Sequence, residues 1–114
     1  MIDWTRVTEL HAEIGEDGFN EILEVFLEEM NSIVGQLRDG PEPRRLEMTL
    51  HSLRGGLLNL GFTHVSDLCQ QGEAMAAKGL ADQVDTVGIV QGYDASCQFF
   101  LSELALRVGK VSAG

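Results

Sequence analysis

Proline is nearly absent from this 114-residue chain: Pro41 and Pro43 are the only two, and they stand close together. Proline removes a helix hydrogen bond and clashes with the preceding turn, so the remaining sequence is free to be helical. Clustered positive charge is also missing. Eight Lys and Arg residues are scattered among eighteen Asp and Glu, for a formal net charge of −10. A nucleic-acid groove or a patch for an anionic membrane needs bases in clusters, so neither is expected as a partner. No apolar run is long enough to span a bilayer. The opening Met1-Ile2-Asp3-Trp4 carries an early acid and lacks the apolar stretch of a signal peptide. Cys69 and Cys97 form no CxxC pair. Without an export signal they read as reduced, buried thiols of a cytoplasmic protein.

Hydrophobic residues make up 44% and charged residues 23% of the chain, ordinary values for a globular domain. Residues 1–114 fit one domain with one core. Residues 1–2 and about 110–114 read as flexible ends, Lys110 to Gly114 being a frayed tail.

Five segments have helical period. The first runs from Trp4 to Ile14, with Asp3 as N-cap and Gly15 as stop. The second starts near Asp17 and carries Phe19, Ile22, Leu23, Phe26, Leu27, Met30, Ile33, Val34 and Leu37 at helical spacing. Gly40 and Pro41 end it. The third begins at Pro43 and reaches Leu60, with Gly61 just past its end. The fourth has Thr63 as N-cap and stops at Gly79. The fifth has Asp82 as N-cap and continues to about Val108 through Val87, Val90, Cys97, Leu101 and Leu104. No segment alternates with period two. The expected architecture is all-α: an antiparallel up-and-down four-helix bundle, with the short first helix packed across one end.

The third segment carries the functional argument. At about 100° per residue, Leu46, Leu50, Leu53, Leu57 and Leu60 fall within a stripe of about 80°. His51 lies about 140° from its centre and so points away from the core. Arg44, Met48, Gly55, Leu58 and Phe62 share that outer face. A cluster of exposed apolar residues suggests a docking surface. Gly55 stands one turn after His51, where a glycine costs about 0.5–1 kcal/mol relative to alanine. Clearance for a molecule approaching the imidazole is one return on that cost, and close helix contact is the other. Arg54, three residues on, is placed to meet an anion on the ring.

The stretch His51-Ser52-Leu53-Arg54-Gly55-Gly56-Leu57-Leu58-Asn59-Leu60-Gly61 resembles the signature of histidine phosphotransfer (HPt) domains, roughly H-x-L-K/R-G-x-x-x-N-L-G. The likeness extends along nearly the whole chain in helix order and length, and Leu68-Cys69 followed by Glu73 resembles the family's next helix. The resemblance implies that His51 is the phosphorylated residue and that Arg54 lies beside the phosphoryl group. It implies that Gly55 leaves room for the partner's active site and that Glu73 orients the imidazole, with Gln70 a polar alternative. Two positions depart from the family pattern. Leu57 replaces a small residue, which implies altered packing, and Gly72 replaces a leucine before Glu73, which implies a closer approach of the two helices.

A neutral imidazole has one nitrogen lone pair free to attack phosphorus, and an acceptor on Nδ1–H fixes the tautomer that exposes Nε2. Phosphoryl transfer needs metal ions and positioned charge. No P-loop, GxGxxG or acid cluster flanks His51, so the chain is expected to be a phosphoryl carrier and not an enzyme. The implied partners are response-regulator receiver domains or a hybrid sensor histidine kinase, with Mg²⁺ on the receiver and no cofactor on this chain, which is expected to be a monomer. Docking is assigned to Met48, Leu58, Phe62 and Arg44. The rival reading is a helical adaptor that binds a signalling partner through the same face without phosphorylation. A bundle metal site is not expected: Glu47 and His51 are four apart, not three, and His11 and His64 lack ligand spacing with either cysteine, reading instead as a surface and a helix-start residue.

Overall fold

The computed structural model describes residues 2–107. Among them are four α-helices: α1 (Trp4–Arg38), α2 (Pro43–Asn59), α3 (Thr63–Ala77) and α4 (Thr86–Arg107), with a short 3₁₀ turn at Ala81–Gln83. The helices pack in the cyclic order α1–α2–α3–α4–α1, which is the up-and-down bundle expected from the sequence.

α1 is two helical arms joined at a kink. Gly15 has φ +78° and ψ 170°, a backbone conformation open to glycine and costly for other residues, so the helix breaks where the sequence places its stop. Asp3 caps the first arm by accepting from the Arg6 N–H. That arm closes one end of the bundle. Val7 is fully buried, and the Trp4 ring stacks on Phe100 of α4 with centroids 5.6 Å apart. His11 is half-buried with its ring edge-on to Phe19 at 5.1 Å, so it is a packed residue and not a surface one.

Ile2 corrects the expectation of a flexible start: it is buried and forms an isolated antiparallel bridge with Phe62. The Asp3 N–H donates to the Gly61 carbonyl at 2.6 Å, and the Arg6 Nε–H donates to the Asn59 carbonyl at 3.2 Å. Met1, Val108 and the tail from Lys110 to Gly114 lie outside the described residues.

The end of α2 explains why Asn59-Leu60-Gly61 is followed by a sharp turn. The Phe62 N–H donates to the Leu57 carbonyl and the Gly61 N–H to the Leu58 carbonyl, the paired bonds of a Schellman cap. Gly61 takes φ +80°, and a Cβ there would lie 2.8 Å from the Asp3 carbonyl oxygen. Both conformation and space therefore require glycine.

Three helix starts and faces differ from the sequence reading. Phe62, not Thr63, occupies the cap position of α3. α4 is capped by Asp85, whose Oδ1 accepts from the Gly88 N–H at 2.9 Å, while Asp82 falls in the 3₁₀ turn. Ile22, Val87 and Leu101 are exposed, although each lies at helical spacing with core residues. Their helices bury a narrower stripe than periodicity alone suggests.

The core holds Phe19, Leu23, Phe26, Met30, Val34 and Leu37 of α1 against the leucines of α2 and Tyr93, Phe100 and Leu104 of α4. Burying a leucine contributes about 1.5–3 kcal/mol relative to leaving it exposed. Leu50, Leu53 and Leu57 have no solvent exposure, so this stripe fixes how α2 is rotated. That rotation decides which way His51 points.

Candidate functional site

His51 sits in the middle of α2 on the face opposite the buried leucines, with 68% of its side chain exposed. α3 runs beside α2, and Gly72 is buried at their contact. A Cβ on Gly72 would lie 2.8 Å from Leu50 Cδ1 and 3.0 Å from Val84 Cγ1. The missing side chain allows the close approach implied by that departure from the family pattern. The next residue of α3 is Glu73, which is thereby brought against His51.

The imidazole Nδ1 lies 3.1 Å from Glu73 Oε1 and 3.2 Å from Oε2. Arg54, one turn along α2, reaches the same carboxylate: its Nε–H donates to Oε1 at 3.4 Å and its Nη2–H to Oε2 at 3.2 Å. Glu73 is the inner member of this group, 16% exposed, against 26% for the Arg54 side chain. Burial alone would raise its carboxyl pKa. The hydrogen bonds from His51 and Arg54 and the Arg54 charge outweigh that and hold it below the ordinary glutamate value. Glu73 is therefore ionised at neutral pH.

A carboxylate can only accept, so the ring nitrogen facing it must carry the proton. The neutral imidazole is held as the Nδ1–H tautomer, and the Nε2 lone pair is left without a protein partner among the described residues. Gln70, the alternative to Glu73, is exposed. Beneath the site, Cys69 is fully buried, and its thiol is pushed up to about 12 by burial and by the Glu73 charge, partly opposed by Arg54. It stays protonated and unreactive. Both cysteines are free, Cys97 being half-buried and not fully so.

The two glycines after His51 separate cleanly. A Cβ on Gly56 would meet Met30 of α1, with Sδ at 2.7 Å, so Gly56 serves helix contact. A Cβ on Gly55 would meet nothing within 4 Å, so no packing inside the molecule calls for glycine there.

Around the imidazole, Met48 is 73% and Leu58 47% exposed. Arg44 and Glu47 line the same shallow depression as Met48, His51 and Glu73. Arg44 is highly exposed and, among the described residues, pairs with neighbouring Glu42 at 3.3 Å. Phe62 corrects the sequence reading: it is fully buried, against Phe26 and Phe100, and is no part of the surface. The helix ends before Phe62, so the helical wheel that places it on the outer face no longer applies.

Sequence periodicity assigned Ile22 to the core and passed over Val25. Both are exposed on α1, beside a groove of about 280 Å³ that Leu10, Phe26, Gly56 and Leu60 also line. The signal that could have found them is the width of the apolar face of α1, which exceeds what one core stripe needs.

His64 is exposed at the start of α3. Among the described residues no group of three or more His, Cys, Asp or Glu is arranged to hold a metal ion, and no helix is long and apolar enough to cross a membrane.

No solved structure gives a significant match to this chain. The phosphorelay protein LuxU of Vibrio harveyi is 28% identical over 92 residues, covering 78% of this chain and 78% of that protein. The Hpt domain model matches residues 21–110. With an exposed histidine in its signature stretch, a carboxylate on the ring and the bundle expected of the fold, the chain belongs to the Hpt domain family, the phosphotransfer intermediates of two-component signalling.

Proposed function

We propose that His51 is the phosphoryl carrier of this chain, accepting the group from the phospho-aspartate of a receiver domain and passing it to another receiver. The observation that carries this reading is the Nδ1–Glu73 hydrogen bond on an imidazole whose other nitrogen faces outward.

In the forward step the Nε2 lone pair attacks phosphorus, the bond from phosphorus to the aspartyl oxygen breaks, and the aspartate leaves as a carboxylate. Nδ1 keeps its proton. The ring, now substituted on both nitrogens, gains a positive charge, and the ionised Glu73 beside it offsets that charge. The return step is the reverse, onto another receiver's aspartate. Mg²⁺ and the remaining transition-state charge belong to the receiver, as phosphoryl transfer requires both. This chain then acts as substrate and shuttle, without ATP-using machinery of its own.

Docking falls to the exposed apolar residues near His51, Met48 and Leu58, with Arg44 at the edge. The groove lined by Ile22 and Val25 lies between α1 and α2 and shares no residue with the depression at His51. Gly55 gives the receiver's active site its clearance. A soluble monomer in the cytoplasm is the form this role implies.

The test is transfer of labelled phosphate from a phosphorylated receiver to wild type and His51→Ala. Acid-labile, base-stable label on wild type alone is expected. Equal binding of a receiver by both proteins, with label on neither, would replace the relay with the adaptor reading.

A further inference from the structure

Charge is shared unevenly among the helices. α1 carries eight acidic and two basic residues, whereas α2 carries one acidic and three basic. Two of those three, Arg44 and Arg45, follow Pro43 in the first turn of α2, and no acid stands in that turn. Positive side chains there oppose the helix macrodipole and weaken the helix. Contacts inside the molecule do little to offset this. Arg44 pairs with Glu42 where both are highly exposed, an arrangement that contributes little. The Arg45 guanidinium has no hydrogen-bond or ion-pair partner among the described residues.

Met48 is a ridge between two shallow depressions. The one toward α3 holds Arg44, Glu47, His51 and Glu73. The one toward α1 has a volume of about 210 Å³ and is lined by Ile33 and Gln36 of α1 and by Arg45, Thr49 and Ser52 of α2. Met48 borders both and is 73% exposed. The surface that bears His51 is therefore continuous across α2 onto the second arm of α1.

We propose that the docking footprint runs from His51 over Met48 into this second depression, and that Arg45 is its specificity-determining residue, selecting a partner with acidic side chains around an apolar contact. The proposal rests on the relay reading and deepens it, by naming the part of the surface that chooses the partner. The partner's charge follows from its chemistry. A receiver aspartate served by Mg²⁺ sits among oxygen ligands, carboxylates among them, because Mg²⁺ is a hard cation. A face of that kind is repelled by a chain of net charge −10. Among the described residues, α2 is the helix where bases outnumber acids. Its three bases are not equivalent. Arg54 is neutralised by Glu73. Arg44 has Glu42 at 3.3 Å and shares its depression with Glu47. No acid lines the depression of Arg45, so its charge is the least compensated beside His51. Met48 supplies the apolar contact between the two sides.

The test uses the intact chain and a receiver domain from the same organism that wild type binds. Amide shifts of this chain map the unphosphorylated, Mg²⁺-loaded receiver, and transfer from the phosphorylated receiver is followed against receiver concentration. Shifts are expected at Ile33, Thr49 and Ser52 as well as around His51. Arg45→Glu is expected to raise the half-saturating receiver concentration about tenfold at low salt, through slower association, with the saturating transfer rate unchanged. The difference should shrink as salt screens the charge. Arg44→Glu alters the net charge equally and is expected to have a smaller effect, while Arg45→Lys should stay near wild type. Both Glu variants place an acid where the macrodipole favours one, so folding is expected to hold. Shifts confined to the α3 side of Met48 overturn the proposal, as does an Arg45→Glu variant that matches wild type or Arg44→Glu. A lower saturating transfer rate in Arg45→Glu also overturns it, because Arg45 would then act on the phosphoryl group. The shift map involves no phosphate. A wild type that binds the receiver through this footprint and takes no label would sink the relay reading and leave the footprint standing.

Discussion

The two faces of α2 obey different rules. On the inner face Leu46, Leu50, Leu53 and Leu57 are buried and interchangeable in chemistry; what matters is that they fill space. On the outer face His51, Met48 and Leu58 are exposed, and none of them fills the core. The inner face sets the rotation of the helix, and the outer face inherits its direction from that rotation. Gly55 and Gly56 show the contrast between neighbours: one faces open space, the other the side chain of Met30.

Five substitutions would break or sharpen this contrast. The largest effect is expected from His51→Ala, which should abolish phosphoryl acceptance while lowering the thermal melt only slightly, since one hydrogen bond to Glu73 is lost and Arg54 still pairs with that carboxylate. A large drop in Tm would mean that the outer face carries structural weight. Leu53→Ala should show the opposite pattern, losing about 2–5 kcal/mol in denaturant unfolding, with the folded fraction still accepting phosphate.

Next come Gly55→Leu and Gly56→Leu as a pair. The first should block transfer at equal or slightly higher stability. The second should lose about 1–3 kcal/mol as Met30 is displaced, with transfer retained in the folded protein. Matching behaviour of the two would erase the distinction between them.

The smallest effect concerns acid. The folded-state Glu73 carboxyl titrates below its unfolded counterpart, so in the acid range the unfolded chain binds more protons. The stability this group contributes is complete above the unfolded glutamate pKa and is lost as pH falls through the lower folded value. Glu73→Gln should flatten that part of the stability profile by a fraction of about 1 kcal/mol. An unaltered acid limb would show that the Glu73 pair contributes nothing to the resting fold.

Much of the site was legible because helical periodicity is a local rule. The leucine stripe determines where His51 points, and the motif from His51 to Gly61 marks both the histidine we propose as the phosphoryl site and the helix end. Glu73 was reachable only through family resemblance, since no local pattern says which residue of α3 will face α2. Phe62 and Ile2 were misplaced for a related reason. Phe62 follows a Schellman turn, and a wheel drawn through it assigns a direction the backbone no longer has. Ile2 is ordered by pairing with Phe62, a contact between residues sixty positions apart.

By itself, then, the sequence determined the helices, their breaks at Gly15, Gly40 and Gly61, the burial of the α2 leucines and the outward aim of His51, because capping, glycine conformation and amphipathic period act within a few residues. Tertiary structure alone decided that Glu73 meets the imidazole, that Arg54 is engaged with that carboxylate, that Phe62 is core, and that Ile22 and Val25 are surface. Those outcomes depend on how closely one helix approaches another, and at Gly72 and Gly56 that distance is set by the side chains that are missing.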